Sequence, residues 1–177
     1  FSPSGKYVTF STNIIIPAFH ADPDKRLEVY DSKSDVYVAD LDNNTIISSP
    51  LTSDSTKLET FPTFSPNGAY IYYCVADRKG LNTKNLKGLK YSLVRIPFNE
   101  ENGRFGEKVD TLYSARSVCH PKISPDGRYC LFTVADYGTF PIWHPEADLC
   151  MLDLQTGKTD SLSIVNSNKS DTYHSWS

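Results

Sequence analysis

One four-residue stretch recurs along the chain and constrains its fold more than any other feature. It reads Ser2-Pro3-Ser4-Gly5, then Ser65-Pro66-Asn67-Gly68, then Ser124-Pro125-Asp126-Gly127. Each copy follows an apolar residue (Phe1, Phe64, Ile123) and is followed two residues later by a tyrosine (Tyr7, Tyr70, Tyr129). Trp176-Ser177 supplies the opening of a fourth copy. Proline at the second position of a type I turn has φ already near the required value, and glycine suits the fourth position. One such turn is weak evidence. Three copies with matched flanks mark a repeat, whose interval of about 50–60 residues lies at or beyond the upper end of the usual range and leaves room for loop insertions.

The residues after each turn alternate as a strand does. Val8 and Phe10 match Ile71 and Tyr73, and these match Cys130 and Phe132, all at the period of two that puts one face on a core. Eleven tyrosines and nine phenylalanines suit strands better than helices, and no helical pattern stands out. In the first unit the pattern predicts strands over Tyr7–Thr12, Asp35–Leu41, Thr45–Leu51 and Glu59–Phe64, with Asn13–Ser34 as a long connection. In the second it predicts Tyr70–Ala76, Lys90–Ile96, Val109–Tyr113 and Val118–Ile123. In the third it predicts Tyr129–Ala135, Asp148–Leu154 and Ser161–Val165. The third strands of the units align without gaps when Val36, Tyr91 and Leu149 are matched. They carry apolar residues on both faces, so each sheet must be covered on both faces.

The fold class that follows is all-β: about three four-stranded antiparallel blades of a partial β-propeller. The units run 1–63, 64–122 and 123–175, and the next begins at 176. This phase cuts through two repeats and reads as a piece of a larger propeller, with open blade edges that invite further blades or a second copy.

Bulk properties narrow the function classes. A net charge of −3 over 177 residues argues against a nucleic-acid binder, which needs a broad basic face. No apolar run approaches the roughly 18 residues of a membrane span, and no signal peptide is visible in this segment. Cys74, Cys119, Cys130 and Cys150 show no C-x-x-C spacing, which disfavours a zinc site. They read as buried thiols acting as small apolar residues, with a disulfide in an oxidising compartment as the alternative. There is no G-x-S-x-G and no serine beside a histidine with a supporting acid, so no catalytic residue is assigned. No cofactor is expected.

The lead-ins Phe61-Pro62-Thr63-Phe64-Ser65-Pro66-Asn67-Gly68 and His120-Pro121-Lys122-Ile123-Ser124-Pro125-Asp126-Gly127, with Tyr173-His174-Ser175-Trp176-Ser177 in the same frame, resemble the β-propeller repeats of TolB-type, WD-like proteins of the cell envelope. The resemblance runs over the whole chain. Repeats in that class are shorter, and a complete propeller has about 4–8 blades. It implies a periplasmic or cell-envelope location and a protein partner. It also implies that the first strand of each blade lines a central channel, which puts His120, His174 and Glu59 near one channel mouth as a candidate binding patch.

Further candidates lie in the loops. Tyr137–Pro145 carries Phe140, Trp143 and His144, and exposed aromatics are enriched at interface hot spots. The first long loop holds His20, Asp22, Asp24, Glu28 and Asp31, oxygen and nitrogen donors without the order of a calcium loop. Asp40-Leu41-Asp42-Asn43-Asn44 reads as a hairpin turn, and Arg78–Lys90 as a solvated basic loop. The function expected on these grounds is a non-catalytic interaction platform. The alternative is the propeller domain of an enzyme, either the gating domain of a prolyl-oligopeptidase-like peptidase or an oligosaccharide lyase or hydrolase with a channel-mouth metal. A small-ligand sensor is the third reading.

Overall fold

The computed structural model describes residues 1–19, 27–82 and 85–177. In all three turns the serine amide donates to the tyrosine carbonyl (Ser2 to Tyr7, Ser65 to Tyr70, Ser124 to Tyr129, each 2.8 Å), and the glycine amide donates back to the serine carbonyl. The third side chain (Ser4 Oγ, Asn67 Oδ1, Asp126 Oδ1) accepts from the amide two residues on. Gly5, Gly68 and Gly127 sit at φ +73°, +71° and +73°. A left-handed residue after a type I turn lets the chain reverse within the four residues that the serine-to-tyrosine bond encloses, and glycine adopts it without strain.

The second and third turns each join two antiparallel strands, the first leads into one, and the strands make three sheets. The first holds β1 (Tyr7–Phe19), β2 (Leu27–Asp40) and β3 (Thr45–Ile47) in chain order. The second holds β4 (Lys57–Phe64), β5 (Tyr70–Asp77) and β6 (Ser92–Asn99), with β7 (Arg104–Phe105) and β8 (Asp110–Tyr113) both paired to β6. The third runs β9 (Ser117–Ile123), β10 (Tyr129–Ala135), β11 (Asp148–Asp153) and β12 (Thr159–Asp160). The only helical pieces among the described residues are the 3-10 turns Arg78–Gly80, Leu86–Gly88 and Pro141–Trp143, and no helix is long and apolar enough to cross a membrane.

The sheets stack face to face, so the middle one is covered on both sides. In the first seam Tyr7, Val36 and Val38 of sheet 1 meet Phe64, Ile71, Tyr73, Val94, Ile96 and Phe98 of sheet 2. In the second seam Leu58, Cys74, Ala76 and Leu93 of sheet 2 meet Val118, Cys130, Phe132, Val134, Cys150 and Leu152 of sheet 3. Removing this apolar surface from water, at about 25 cal/mol per Å², is what holds the stack together. Antiparallel sheets of three, five and four strands, packed in chain order and each carrying the same turn, are blades of a β-propeller. The four cysteines are buried free thiols, and burial raises the pKa of each.

Three expectations need correction. The stretch after Thr12 is not a loop. It extends β1 to Phe19 and starts β2 at Leu27, with Tyr7 to Phe19 paired against Asp40 to Leu27; the β-branched run Ile14–Ile16 favours this extended form. The outer strand of the third blade is Thr159–Asp160, and Ser161–Val165 is not strand. The third-strand alignment slips by two in blade 2. Val36, Leu93 and Leu149 are level, because they face the equivalent residues Ser11, Cys74 and Thr133. Tyr91 lies ahead of β6 and is held by the connection into blade 3: its amide donates to Ser117 Oγ at 2.9 Å, and its carbonyl accepts from Val118 N at 2.9 Å. A slip of two preserves the face of every side chain, so the core assignments survived it.

Candidate functional site

The far ends of β1 and β2 and the loops after β5 and β10 lie at one end of the stack, opposite the Ser-Pro turns, and there they are fastened to one another. The β1–β2 hairpin of blade 1 packs Tyr30 and Ala18 against Leu86 and Leu81 of blade 2 and Tyr137 of blade 3. The blade 2 and blade 3 loops are joined by Gly138 N to Leu89 O at 2.7 Å, and Ser117 Oγ donates to Gly138 O. Arg116 clamps the blade 3 loop through Asp148 Oδ2 at 3.0 Å, Asp136 Oδ1 at 3.3 Å and the Glu146 carbonyl at 2.9 Å.

His144 is the centre of this fastening. It is 2% exposed, with Nε2 3.3 Å from Glu28 Oε1 and Nδ1 2.9 Å from Glu146 Oε1. Burial pulls its pKa down, but hydrogen bonds to the two carboxylates outweigh this and leave it above the usual histidine value. A buried imidazole held between two carboxylates, edge-on to the Tyr137 ring at 4.6 Å, ties the blade 1 hairpin to the blade 3 loop across blade 2. The expectation of His144 as an exposed recognition residue is thereby corrected. Its loop neighbours Ile142 and Trp143 do face solvent, at 54% and 40% exposed, as do Ile14, Ile15 and Phe19 on the hairpin. Phe140 turns inward and meets the Phe61 ring edge-on at 6.0 Å.

His120 and His174 lie in a second group. Phe61, His120 and Tyr173, one from each lead-in, are non-glycine residues with left-handed φ of +51°, +51° and +58°. In β4 and β9 this coincides with a bulge, between Thr60 and Thr63 and opposite Leu131–Thr133. The bulge turns each ring onto the next: Phe61 to His120 is 4.2 Å and His120 to Tyr173 is 5.1 Å between centroids. Non-glycine residues rarely adopt this conformation, and three in register form one aromatic ladder. His174 Nε2 donates to the Leu131 carbonyl at 3.0 Å. Burial, then the nearby His174 and Lys122 charges, depresses the His120 pKa to about 4; burial likewise lowers that of His174. Both imidazoles are therefore neutral at ordinary pH, and neither Nδ1 makes a hydrogen bond. Among the described residues no three His, Cys, Asp or Glu side chains converge as metal ligands.

Glu59 belongs to neither group. It is 1% exposed and lines the first seam beside Tyr73, Val75 and Val94. Its Oε1 accepts from Asp54 N at 3.3 Å. Burial foremost, with the charges of Asp35 and Asp54 adding, raises its pKa to about 7.

The acids of the first loop also diverge. Glu28 serves His144, while Asp31 Oδ1 accepts from Asn13 Nδ2 at 2.9 Å and burial raises its pKa to about 6. His20, Asp22 and Asp24 lie outside the described residues. Asp40 Oδ1 accepts from the amides of Asp42 and Asn43, as Asp153 Oδ1 does from Gln155 and Thr156, so both are hairpin turns. Glu28, Arg116 and Glu146 were not picked out together from the sequence, because their partnership is set by three different blades.

A scan against protein-family models finds no match, and neither does a search of curated proteins. Several solved structures are similar. An oligogalacturonate lyase in complex with manganese is 12% identical with TM-score 0.44, covering 84% of this chain and 36% of that one. A puromycin-hydrolyzing peptidase of Mycobacterium tuberculosis is 14% identical with TM-score 0.47, covering 82% and 22%. Prolyl oligopeptidase B from Galerina marginata, bound to a 35mer hydrolysis and macrocyclization substrate, is 15% identical with TM-score 0.37, covering 83% and 22%. The chain spans 22% to 36% of the length of these three proteins.

Proposed function

We propose that this chain is a propeller segment of TolB-like type that serves as a protein-interaction platform in the cell envelope. One observation carries the reading. The Glu28–His144–Glu146 contact locks the blade 1 hairpin to the blade 3 loop, and the locked pair presents Ile14, Ile15, Phe19, Ile142 and Trp143 to solvent. A rigid backbone carrying exposed aromatic and aliphatic side chains loses little entropy on docking, and central aromatics supply most of the energy at interfaces. The partner is a protein with an apolar recess. Photo-crosslinkers placed at Ile15 and Trp143 in the full-length protein in cells are expected to capture the same protein, and an Ile142→Asp change is expected to abolish both products. Crosslinks only to lipid, or to unrelated proteins from the two positions, would sink the reading. Fractionation of the same cells tests the envelope location.

The reading as an enzyme's propeller domain has one supporting observation, the adjacent neutral imidazoles of His120 and His174 with their unbonded Nδ1 atoms. Neutral imidazole is the form that binds a metal. Metal analysis of the full-length protein, with the double variant His120→Ala/His174→Ala as control, decides it: no bound metal removes the metal-dependent version.

A further inference from the structure

The first seam contains a pocket of about 290 Å³ at the loop end, under the β3–β4 connection. Its walls are Pro50, Leu51, Tyr73, Val75, Val94 and Val109, and its polar lining is Asp54, Lys57, Glu59 and Thr111. Glu59 alone of these acids is buried, and its Oε2 makes no hydrogen bond. A carboxylate oxygen buried without a partner forfeits its hydration with nothing in return.

The repeat shows that this carboxylate is not required by the fold. The residue level with Glu59 in blade 3 is Val118, paired with Val134 as Glu59 is with Val75, and it is fully buried in apolar surroundings. There the space is closed by Tyr113, whose ring meets Phe132, the equivalent of Tyr73, at 5.1 Å. In the third lead-in the level residue is Asp171, which accepts from Ser167 N at 2.6 Å and Ser167 Oγ at 3.1 Å. An acid at this position therefore has a structural task, capping the incoming connection. Glu59 meets that task with Oε1 alone, on Asp54 N. Its second oxygen is left over, buried in a side chain that lines the pocket.

We propose that this pocket binds a small ligand with an apolar body and a protonated amine, the ammonium donating to Glu59 Oε2. An ammonium supplies both the missing donor and the missing counter-charge, and apolar walls with one fixed polar group are the usual build of a small-ligand site. The size suits an aromatic or branched aliphatic amine of about ten heavy atoms, for which a cavity near 300 Å³ is at the lower end of the usual range. The exposed charges of Asp54 and Lys57 offset one another, so the buried carboxylate sets the sign of the recognised group. Asp35 from β2, Asp54 from the connection, Lys57 at the start of β4, and Tyr37, Tyr73 and Tyr91 are the titratable groups that feel it.

The test uses 2-phenylethylamine as probe and 2-phenylethanol as its uncharged counterpart, titrated into the chain and followed by backbone amide shifts. The amine is expected to shift Leu51, Val75 and Val109 and to bind at least about tenfold more tightly than the alcohol, the margin of a charged hydrogen bond. Glu59→Gln, which keeps the cap on Asp54, is expected to remove that margin, and Thr111→Phe at the exposed rim to block both probes. Equal binding of amine and alcohol, unchanged binding by Glu59→Gln, or shifts confined to other residues would each overturn the proposal. Should Glu59→Gln not fold, the amine-to-alcohol ratio and the Thr111→Phe result still decide it.

Discussion

The two seams are built from equivalent residues and are open at opposite ends. At the turn end of the first seam, Phe98 meets Tyr7, Phe64 and Phe105 with centroid distances of 5.2, 5.6 and 5.4 Å. At the same level of the second seam, Tyr70, Ile123 and Leu154 replace Tyr7, Phe64 and Phe98, and Arg95 takes the position of Val38. There a cleft of about 410 Å³ opens between Tyr70, Tyr72, Arg95, Pro125, Asp126 and Leu154. At the loop end the order reverses: the second seam is closed by Tyr113 and Phe132, and the first opens on Glu59. Each opening holds a charged group of one sign where the other seam has an aliphatic side chain. Arg95 stacks on Tyr70 at 4.5 Å with Nε 3.5 Å from Asp110 Oδ2. A propeller seam is thus not uniform packing. One large side chain decides whether each end is core or cleft.

The largest test of this contrast is truncation at the level position. Phe98→Ala is expected to destabilise by about 3–5 kcal/mol, as for a buried aromatic, and Leu154→Ala by about 1 kcal/mol, since it borders a cleft. Urea unfolding of both variants measures the difference, and equal costs would show that the seams are packed alike.

The second test is pH. Glu59 has a folded pKa near 7, above its ordinary value of 4.5. The folded state therefore holds a proton that the unfolded chain has released, and stability falls as pH rises from about 4.5 to about 7. Asp31, raised to about 6, adds a similar fall at its lower window. Glu59→Gln is expected to remove a loss on the order of 2 kcal/mol between pH 5 and pH 8, read as the difference in urea midpoints. A variant with the wild-type pH slope would place the titration elsewhere.

Smaller effects come from the turns. Gly68→Ala and Gly127→Ala each force a side chain into left-handed backbone and are expected to cost about 1 kcal/mol. A Cβ at Gly68 meets only the end of the Glu100 side chain, and at Gly127 nothing, so thermal melts of the two should nearly coincide. A large gap would mean that the turns are not interchangeable. The smallest effect is expected from Arg95→Met, which gives blade 2 the residue level with it in blade 3. With a half-exposed guanidinium and a partly exposed partner, the change should stay within about 0.5 kcal/mol, by the same melts.

The stack of three sheets was legible because its signals are local: Ser-Pro-x-Gly and the alternation after each Tyr7, Tyr70 and Tyr129. The extent of β1 and β2 was not, since Asn13 and Ser32 interrupt the apolar pattern with polar residues whose partners come only with the hairpin: Asn13 Nδ2 donates to Asp31 Oδ1 at 2.9 Å and Ser32 Oγ to the Ile14 carbonyl at 3.1 Å. The equivalence of Phe61, His120 and Tyr173 was readable from the lead-ins. Their shared left-handed backbone was not, because two aromatics and a histidine give no local reason to adopt it; stacking across blades does. Glu59 was visible as an acid near a lead-in, but the side of the sheet it faces, and the absence of a filler such as Tyr113, depend on the neighbouring connection.

The two-residue slip in the alignment of β6 carries a consequence for how such chains diversify. Because β6 pairs with β5 in the same register as β2 with β1 and β11 with β10, a blade can gain or lose residues in the loop before this strand while the strand keeps its place and its faces. Blade 2 reaches its core with Leu93 where blade 1 uses Val36, after a loop of quite different length. Variation in the loops, where binding surfaces lie, is in this way decoupled from the packing that keeps the sheets together.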